Sequence, residues 1–289
     1  MYKQTIALIA GAAVCVGLLA VIGGKIYAAS GKSSRTDPAQ EEASETKTAG
    51  NEKAALVNKV ISGMSSRAQA GVRIDDMDAF LSDLDRVLRF DASGAEDDIP
   101  LLTLADRQHP LPDGYAPKQL VQLVKNTDYT INRADLSLRP EASEALSALG
   151  RAARSDGVTL LVSSTYRSYE YQKTVYEKWV ELDGQEEADR ESARPGTSQH
   201  QLGTAADFGS ISDDFAATSM GAWMTAHAAE YGWSLSFPQG YENVTGYRWE
   251  SWHFRYVGKD ACMFQKKYFS DIQQFMLEFV HAWKSAAVS

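Results

Sequence analysis

The sequence predicts an α+β protein, and three observations carry that reading. Val158–Ser163 is a short apolar, β-branched run, and Trp233–Phe237 and Arg248–Val257 have the length and alternation of strands. Between and after them lie longer stretches with apolar residues three to four apart, such as Leu138–Leu149 and Lys259–Trp283, which have the period of helices. Helix punctuation falls at their borders: Pro140 suits a first helical turn, and Gly157 and Gly232 end helices. With 289 residues and 44% hydrophobic content, the chain can bury one substantial core and a small helical appendage.

Thr5–Gly24 is an almost uninterrupted apolar run of twenty residues. At ~1.5 Å per residue it is long enough to cross the ~30 Å hydrocarbon layer. It predicts a membrane anchor over residues 1–29; the rival is a secretory signal starting at Lys3 and cleaved near Ala28–Ser30. From Ser30 to Lys53 the composition turns to Ser, Thr, Lys, Glu, Gln and Ala without an aromatic residue, which reads as a disordered, solvated tether. Over 54–98, Leu56, Val60 and Met64, then Met77, Phe80, Leu84 and Val87, predict two amphipathic helices serving as a spacer or cap. Polar, glycine-containing Asp91–Asp98 marks the boundary to a domain over 99–289.

In that domain, Val158–Ser163 is a buried strand that delivers Ser164-Thr-Tyr-Arg-Ser168 to its end, followed by a helix from Tyr169 to about Leu182. Glu181–Arg190 is charged and aperiodic and reads as a mobile loop, with Asp183, Glu186, Glu187 and Asp189 a solvated run. Ser219–Tyr231 is a helix ended by Gly232, and Lys259–Trp283 is one long final helix with an apolar face. Cys15 and Cys262 form no disulfide, since the first lies inside the apolar N-terminal run. A net charge of −9 argues against a nucleic-acid surface.

The chemistry concentrates in Arg194–Asp207 and Glu250-Ser-Trp-His253. His200, Asp207 and His253 are the nitrogen and oxygen donors that a catalytic zinc takes while keeping one position open for water. Glu250 is a spare carboxylate beside them, suited to act as general base. A single histidine is more often a structural or surface residue, and His109, His227 and His281 read that way. The pattern Ser198-x-His200-x-x-Gly203-x-Ala205-x-Asp207 is different: at ordinary residue usage it arises by chance in roughly one chain of this length in ten thousand. Gly203 permits a tight backbone path between His200 and Asp207, and because these ligands are seven residues apart the backbone between them must bend or run along a strand for both to meet one ion. Strict alternation through Arg248–Val257 would put Glu250 opposite His253, so Glu250 must lie just before the regular strand or at a bulge.

This stretch resembles the VanY-type zinc carboxypeptidases, which remove the terminal D-amino acid from peptidoglycan stem peptides. Glu250–Gly258 is similar to their second signature, and the likeness extends to His109-Pro-Leu-Pro112, Tyr166-Arg-Ser168 and Gln172. The resemblance implies a hedgehog-like peptidase fold, with a small central antiparallel sheet flanked by helices. It also implies Zn2+ as cofactor and Arg167 as a substrate-facing donor fork that stabilises the oxyanion, the alternative being a surface ion pair. Gln172 is expected to extend the same wall. Ser198 either binds substrate or holds its own loop. Ser251 and Thr165 stand where the family commonly has proline and glycine, and neither change removes a required group.

The expected activity is D,D-carboxypeptidase, with D-alanine as product. An L,D-carboxypeptidase, a crosslink endopeptidase and a non-catalytic wall-peptide-binding module are the alternatives. The anchor and the cell-wall substrate together imply an extracytoplasmic, membrane-held protein.

Overall fold

The structure, a computed structural model, describes residues 38–93 and 98–287. The chain divides into two compact units, Met1–Ser44 and Glu45–Ser289, and the architecture below is that of the second. In chain order its elements are α1 (Pro38–Gly63, entering from the first unit), α2 (Ser66–Gly71), α3 (Met77–Ser93), β1 (Val121–Gln122), β2 (Tyr129–Ile131), β3 (Ser137–Leu138), α4 (Pro140–Ser155), β4 (Leu160–Ser164), α5 (Tyr169–Glu191), β5 (Ala205–Phe208), α6 (Ser219–His227), β6 (Trp233–Leu235), α7 (Glu242–Thr245), β7 (His253–Tyr256), α8 (Lys259–Tyr268) and α9 (Gln273–Ala287).

A five-stranded sheet in the order β2-β4-β5-β7-β6 forms the centre. It is mixed and not antiparallel as expected: β2 runs parallel to β4, and the other pairs are antiparallel. The reason is the connection, because α4 intervenes between β2 and β4 and carries the chain back to its starting end. Strands β1 and β3 pair separately.

Alternation gives the sheet two different faces. One face sends Val162, Ala206, Phe208, Trp252 and Phe254 into a core shared with Leu146 and Leu149 of α4 and Met224 of α6. The opposite face carries Asp207 from β5 and His253 from β7, which are direct partners in the register. The strand expected over Arg248–Val257 is therefore four residues long, and Glu250 lies just ahead of it in a turn where His253 N–H donates to Glu250 O. That is one of the two positions its chemistry required.

A second core joins Val57 and Val60 of α1, Phe80, Leu84 and Val87 of α3, and Phe264, Phe275 and Phe279 of α8 and α9. The helical segment over 54–98, which holds the end of α1 together with α2 and α3, thus shares apolar contacts with the C-terminal helices. Asp91 adds polar ties, accepting from Leu102 N–H at 2.7 Å and pairing with Lys284 of α9.

Three further expectations differ from the structure. The tether expected through Lys53 is helical from Pro38, in keeping with the helix propensity of its Ala, Glu, Gln and Lys residues. Glu181–Arg190 is not a loop: α5 continues to Glu191 with one break at Gly184, whose φ is 80°. Part of its charge run is engaged, as Arg190 pairs with Glu187 and Glu242, and Asp189 with Arg194 and Tyr176. The final helix is two helices, divided where Ser270 and Asp271 adopt positive φ and Gln265 caps the break by donating to Asp271 O and Oδ1. Among the described residues no helix is long and apolar enough to cross a membrane; the run Thr5–Gly24 lies outside them. Cys262 is free and buried.

Candidate metal centre

Three elements bring the donors together. Asp207 and His253 come from paired strands, and His200 comes from a 3₁₀ turn over Gln199–Leu202 that Ser198 caps by accepting His200 N–H. The turn closes with Gly203 N–H donating to His200 O. Gly203 has φ +71°, a conformation that favours glycine, and a Cβ there would press on the Pro117 and Arg139 side chains at 3.1 and 3.2 Å.

The ligand-type atoms of His200, Asp207 and His253 all lie within 4.8 Å of one another, and all three side chains are buried. His200 Nδ1 stands 2.7 Å from Thr165 O, a group that can only accept, so Nδ1 carries the proton and Nε2 keeps its lone pair. That Nε2 is 3.3 Å from Asp207 Oδ2. His253 directs Nε2 to Gln199 Oε1 at 3.2 Å and Nδ1 to Asp207 Oδ1 at 3.0 Å. Asp207 Oδ1 nevertheless accepts no hydrogen bond, because the approach of His253 is not aligned as a donor. A buried carboxylate set between His200 Nε2, which keeps its lone pair, and His253 Nδ1 is the kind of donor set that a nitrogen- and oxygen-preferring divalent cation completes, and the site fits zinc.

The charges agree with this arrangement. Burial, followed by the Arg167 charge, pushes the His200 imidazole down to about 4, so it is neutral at physiological pH. Glu250 goes the other way: burial, reinforced by the Asp207 charge, raises its carboxyl well above the ordinary glutamate value. Its Oε2 lies 3.6 Å from His253 Nδ1, which sets it beside the donors without making it one of them.

Arg167 follows β4 and reaches back over the site. Its Nε donates to Ser164 Oγ, its Nη1 to Gln172 Oε1, and its Nη2 lies 3.0 Å from Asp207 Oδ2 and 2.9 Å from His200 Nε2. His200 Nε2 has one lone pair, so this guanidinium and a metal ion are alternatives there. Gln172 does not extend the wall as expected: it is 0% exposed and holds Arg167 from behind, donating to Ser192 Oγ and Ala193 O. Ser198 lines the cleft while capping its own turn. The cleft, of about 340 Å³, is walled by aromatic Trp179, Phe237, Tyr247 and Trp252. Thr165 uses its hydroxyl to accept Ser137 N–H, so its side chain is accommodated at this position.

The other histidines stand away from this centre, as expected. His109 hydrogen-bonds Asp106 and meets the His281 ring edge-on, and His227 stacks on Trp223. Gln199 is the residue that sequence reasoning passed over. It occupies a position that the motif leaves unspecified, and an amide carries no titration or ligand signal.

Residues 135–259 match the family model described as VanY, D-alanyl-D-alanine carboxypeptidase. The Bacillus subtilis protein YodJ, named a carboxypeptidase, is 35% identical over 169 residues, covering 56% of this chain and 61% of its own length. The bifunctional D-Ala-D-Ala dipeptidase and D-Ala-D-Ala carboxypeptidase VanXYC of Enterococcus gallinarum is 30% identical over 165 residues, 54% of this chain and 83% of the relative. The chain belongs to the VanY family. Among solved structures, that of the LdcB LD-carboxypeptidase superposes with a TM-score of 0.56 at 32% identity, covering 63% of this chain and 86% of the other. The chain spans about three-fifths of the length of YodJ, so VanY membership here concerns the domain that carries the His200–Asp207–His253 group.

Proposed function

We propose that the protein is a zinc-dependent D,D-carboxypeptidase that removes the C-terminal D-alanine from peptidoglycan stem peptides. The observation that carries this reading is one cleft holding both the His200–Asp207–His253 donor set and a separate, largely buried carboxyl, Glu250. When bound, zinc supplies Lewis acidity, which makes a neutral-pH nucleophile of water and polarises a carbonyl.

The chain's own groups supply the rest. Glu250 accepts the proton of the attacking water, and its raised pKa lets the protonated carboxyl return that proton to the leaving amine. Arg167, steadied by Gln172 and Ser164, presents a planar cation to the oxyanion that develops at the scissile carbonyl. A cleft of about 340 Å³ has room for the end of a peptide. The substrate lies outside the cytoplasmic membrane, and the same proposal holds the chain there through the apolar sequence Thr5–Gly24.

Likeness to the LdcB LD-carboxypeptidase supports a second reading, cleavage of an L,D bond in tetrapeptide stems. The zinc-loaded chain, incubated in turn with a stem pentapeptide ending in D-Ala-D-Ala and with a tetrapeptide, separates the two. D-Alanine released from the pentapeptide and suppressed by a chelator is the expected result. Release from the tetrapeptide alone replaces the D,D reading, and release from neither overturns both.

A further inference from the structure

A metal ligand that stands beside a carboxylate has a choice of tautomer, and His253 is such a residue. Its Nδ1 is 3.0 Å from Asp207 Oδ1 and its Nε2 is 3.2 Å from Gln199 Oε1. A neutral imidazole has one proton for these two acceptors, and only Nε2–H leaves a lone pair facing Asp207 and Glu250.

A chain of buried amides makes the choice, beginning at a group that has none. Ser234 O can only accept, so the Gln273 atom 3.1 Å from it is the amide nitrogen. Gln273 Oε1 is therefore an acceptor, and it faces Gln199 Nε2 at 3.4 Å and Ser236 Oγ at 3.2 Å. Gln199 is thereby oriented with Oε1 towards Ser236 Oγ, at 2.7 Å, and towards His253 Nε2. An acceptor at that point requires a proton on His253 Nε2. The five residues are each at most 6% exposed, so water has little access to offer substitutes. The competing acceptor, Asp207 Oδ1, receives no hydrogen bond.

We infer that Gln199, oriented by Gln273 and Ser236, is the positioning residue that fixes His253 as its Nε2–H tautomer and so presents the Nδ1 lone pair to the metal. Gln273 belongs to α9, beyond the segment 135–259 that matches the VanY model, so the last control over this ligand comes from outside the matched region. The metal part of the inference rests on the zinc reading above; the tautomer does not.

Long-range proton–nitrogen NMR of the full chain without added metal reads the tautomer directly, with His253→Ala assigning the signal. Nε2–H is expected, and an Nδ1–H tautomer in the wild-type chain overturns the inference without any further variant. Chelator competition then reads the zinc dissociation constant. Gln199→Met weakens binding by roughly 10–100-fold, as loss of an outer-sphere partner does elsewhere. Gln199→Glu keeps an acceptor for His253 Nε2 and holds zinc within a few-fold of wild type. Zinc binding by Gln199→Met within about twofold of wild type, or equal losses in the two variants, contradicts the assignment. Neither readout requires hydrolysis, so an inactive protein with the expected tautomer and zinc affinities would refute the carboxypeptidase reading and leave this one standing.

Discussion

Asp207 faces His253 across the β5–β7 ladder with its Oδ1 3.0 Å from His253 Nδ1, while its Oδ2 lies 3.3 Å from His200 Nε2. One buried carboxylate thus joins two imidazoles whose protons are turned away from it, His200's towards Thr165 O and His253's towards Gln199. The strand register makes this possible: in an antiparallel pair, directly opposed residues project to the same face.

Glu250→Gln separates chemistry from folding. The folded-state pKa of Glu250 is raised, so its contribution to stability is present below the unfolded value and is lost as pH rises towards the folded one; at neutral pH the carboxylate opposes folding. The amide is expected to lower kcat by about 10²–10⁴-fold while raising the melting midpoint of the metal-free chain at pH 7. Each kcal/mol regained is worth roughly 2–4 °C. Steady-state peptide hydrolysis and a thermal scan check the two halves, and a variant that keeps wild-type kcat removes Glu250 from the mechanism.

Gln172 acts through Arg167. Arg167→Lys loses the planar fork and is expected to reduce kcat/KM by about 10²–10³-fold. Gln172→Leu frees one guanidinium nitrogen and unseats contacts to Ser192 and Ala193, for an expected loss of roughly tenfold. The pair measured together in a double-mutant cycle should be less than additive. Full additivity would mean that Gln172 works independently of Arg167.

That His200, Asp207 and His253 come together with Glu250 beside them was legible in the sequence because a metal-binding group demands particular residue types, and Gly203 because the turn demands its conformation. Their supports were not. Gln199 and Gln273 are 74 positions apart, and only the fold joins them. The parallel strand β2 is three residues long, too short for any periodicity to register. The later part of α5 reads as a solvated charge run because it lacks an apolar stripe; of its pairings, Arg190–Glu242 spans 52 positions and Asp189–Arg194 reaches past the helix end. The α8–α9 break has neither glycine nor proline to announce it, since Ser270 and Asp271 take the positive φ.

Phe80 tests whether the N-terminal helices belong to the same cooperative unit as the C-terminal pair. It is fully buried and its ring lies 5.0 Å from Phe264 and 5.4 Å from Phe279. Phe80→Ala is expected to cost about 3–5 kcal/mol. Urea unfolding followed by far-UV and aromatic signals should show one shifted transition. An early transition confined to the N-terminal helices would show that the shared core is not cooperative.

Asp189 gives the chain an acid limit away from the metal centre. Hydrogen bonds from Arg194 first, then Tyr176, lower its carboxyl to about 2 against their own burial cost. A lowered carboxyl contributes stability above its unfolded pKa and loses it as pH falls through the folded one. Because Arg194 is more than half exposed and water screens the pair, about 1 kcal/mol or less should disappear between about pH 4 and pH 2. Asp189→Asn, already lacking that contribution at pH 7, should show a flatter acid limb in urea titrations; an unchanged limb would assign the loss elsewhere.

The most direct measurement is zinc-edge X-ray absorption of the zinc-loaded chain, read beside Asp207→Asn. One ion per chain is expected, with two imidazole nitrogens and carboxylate or water oxygen at about 2.0–2.2 Å, and Asp207→Asn should lose more than about 100-fold in affinity, beyond the effect of an outer-sphere partner. A chain that binds no zinc, or one whose coordination shell and affinity survive Asp207→Asn, would contradict the claim that His200, Asp207 and His253 converge on a single metal ion.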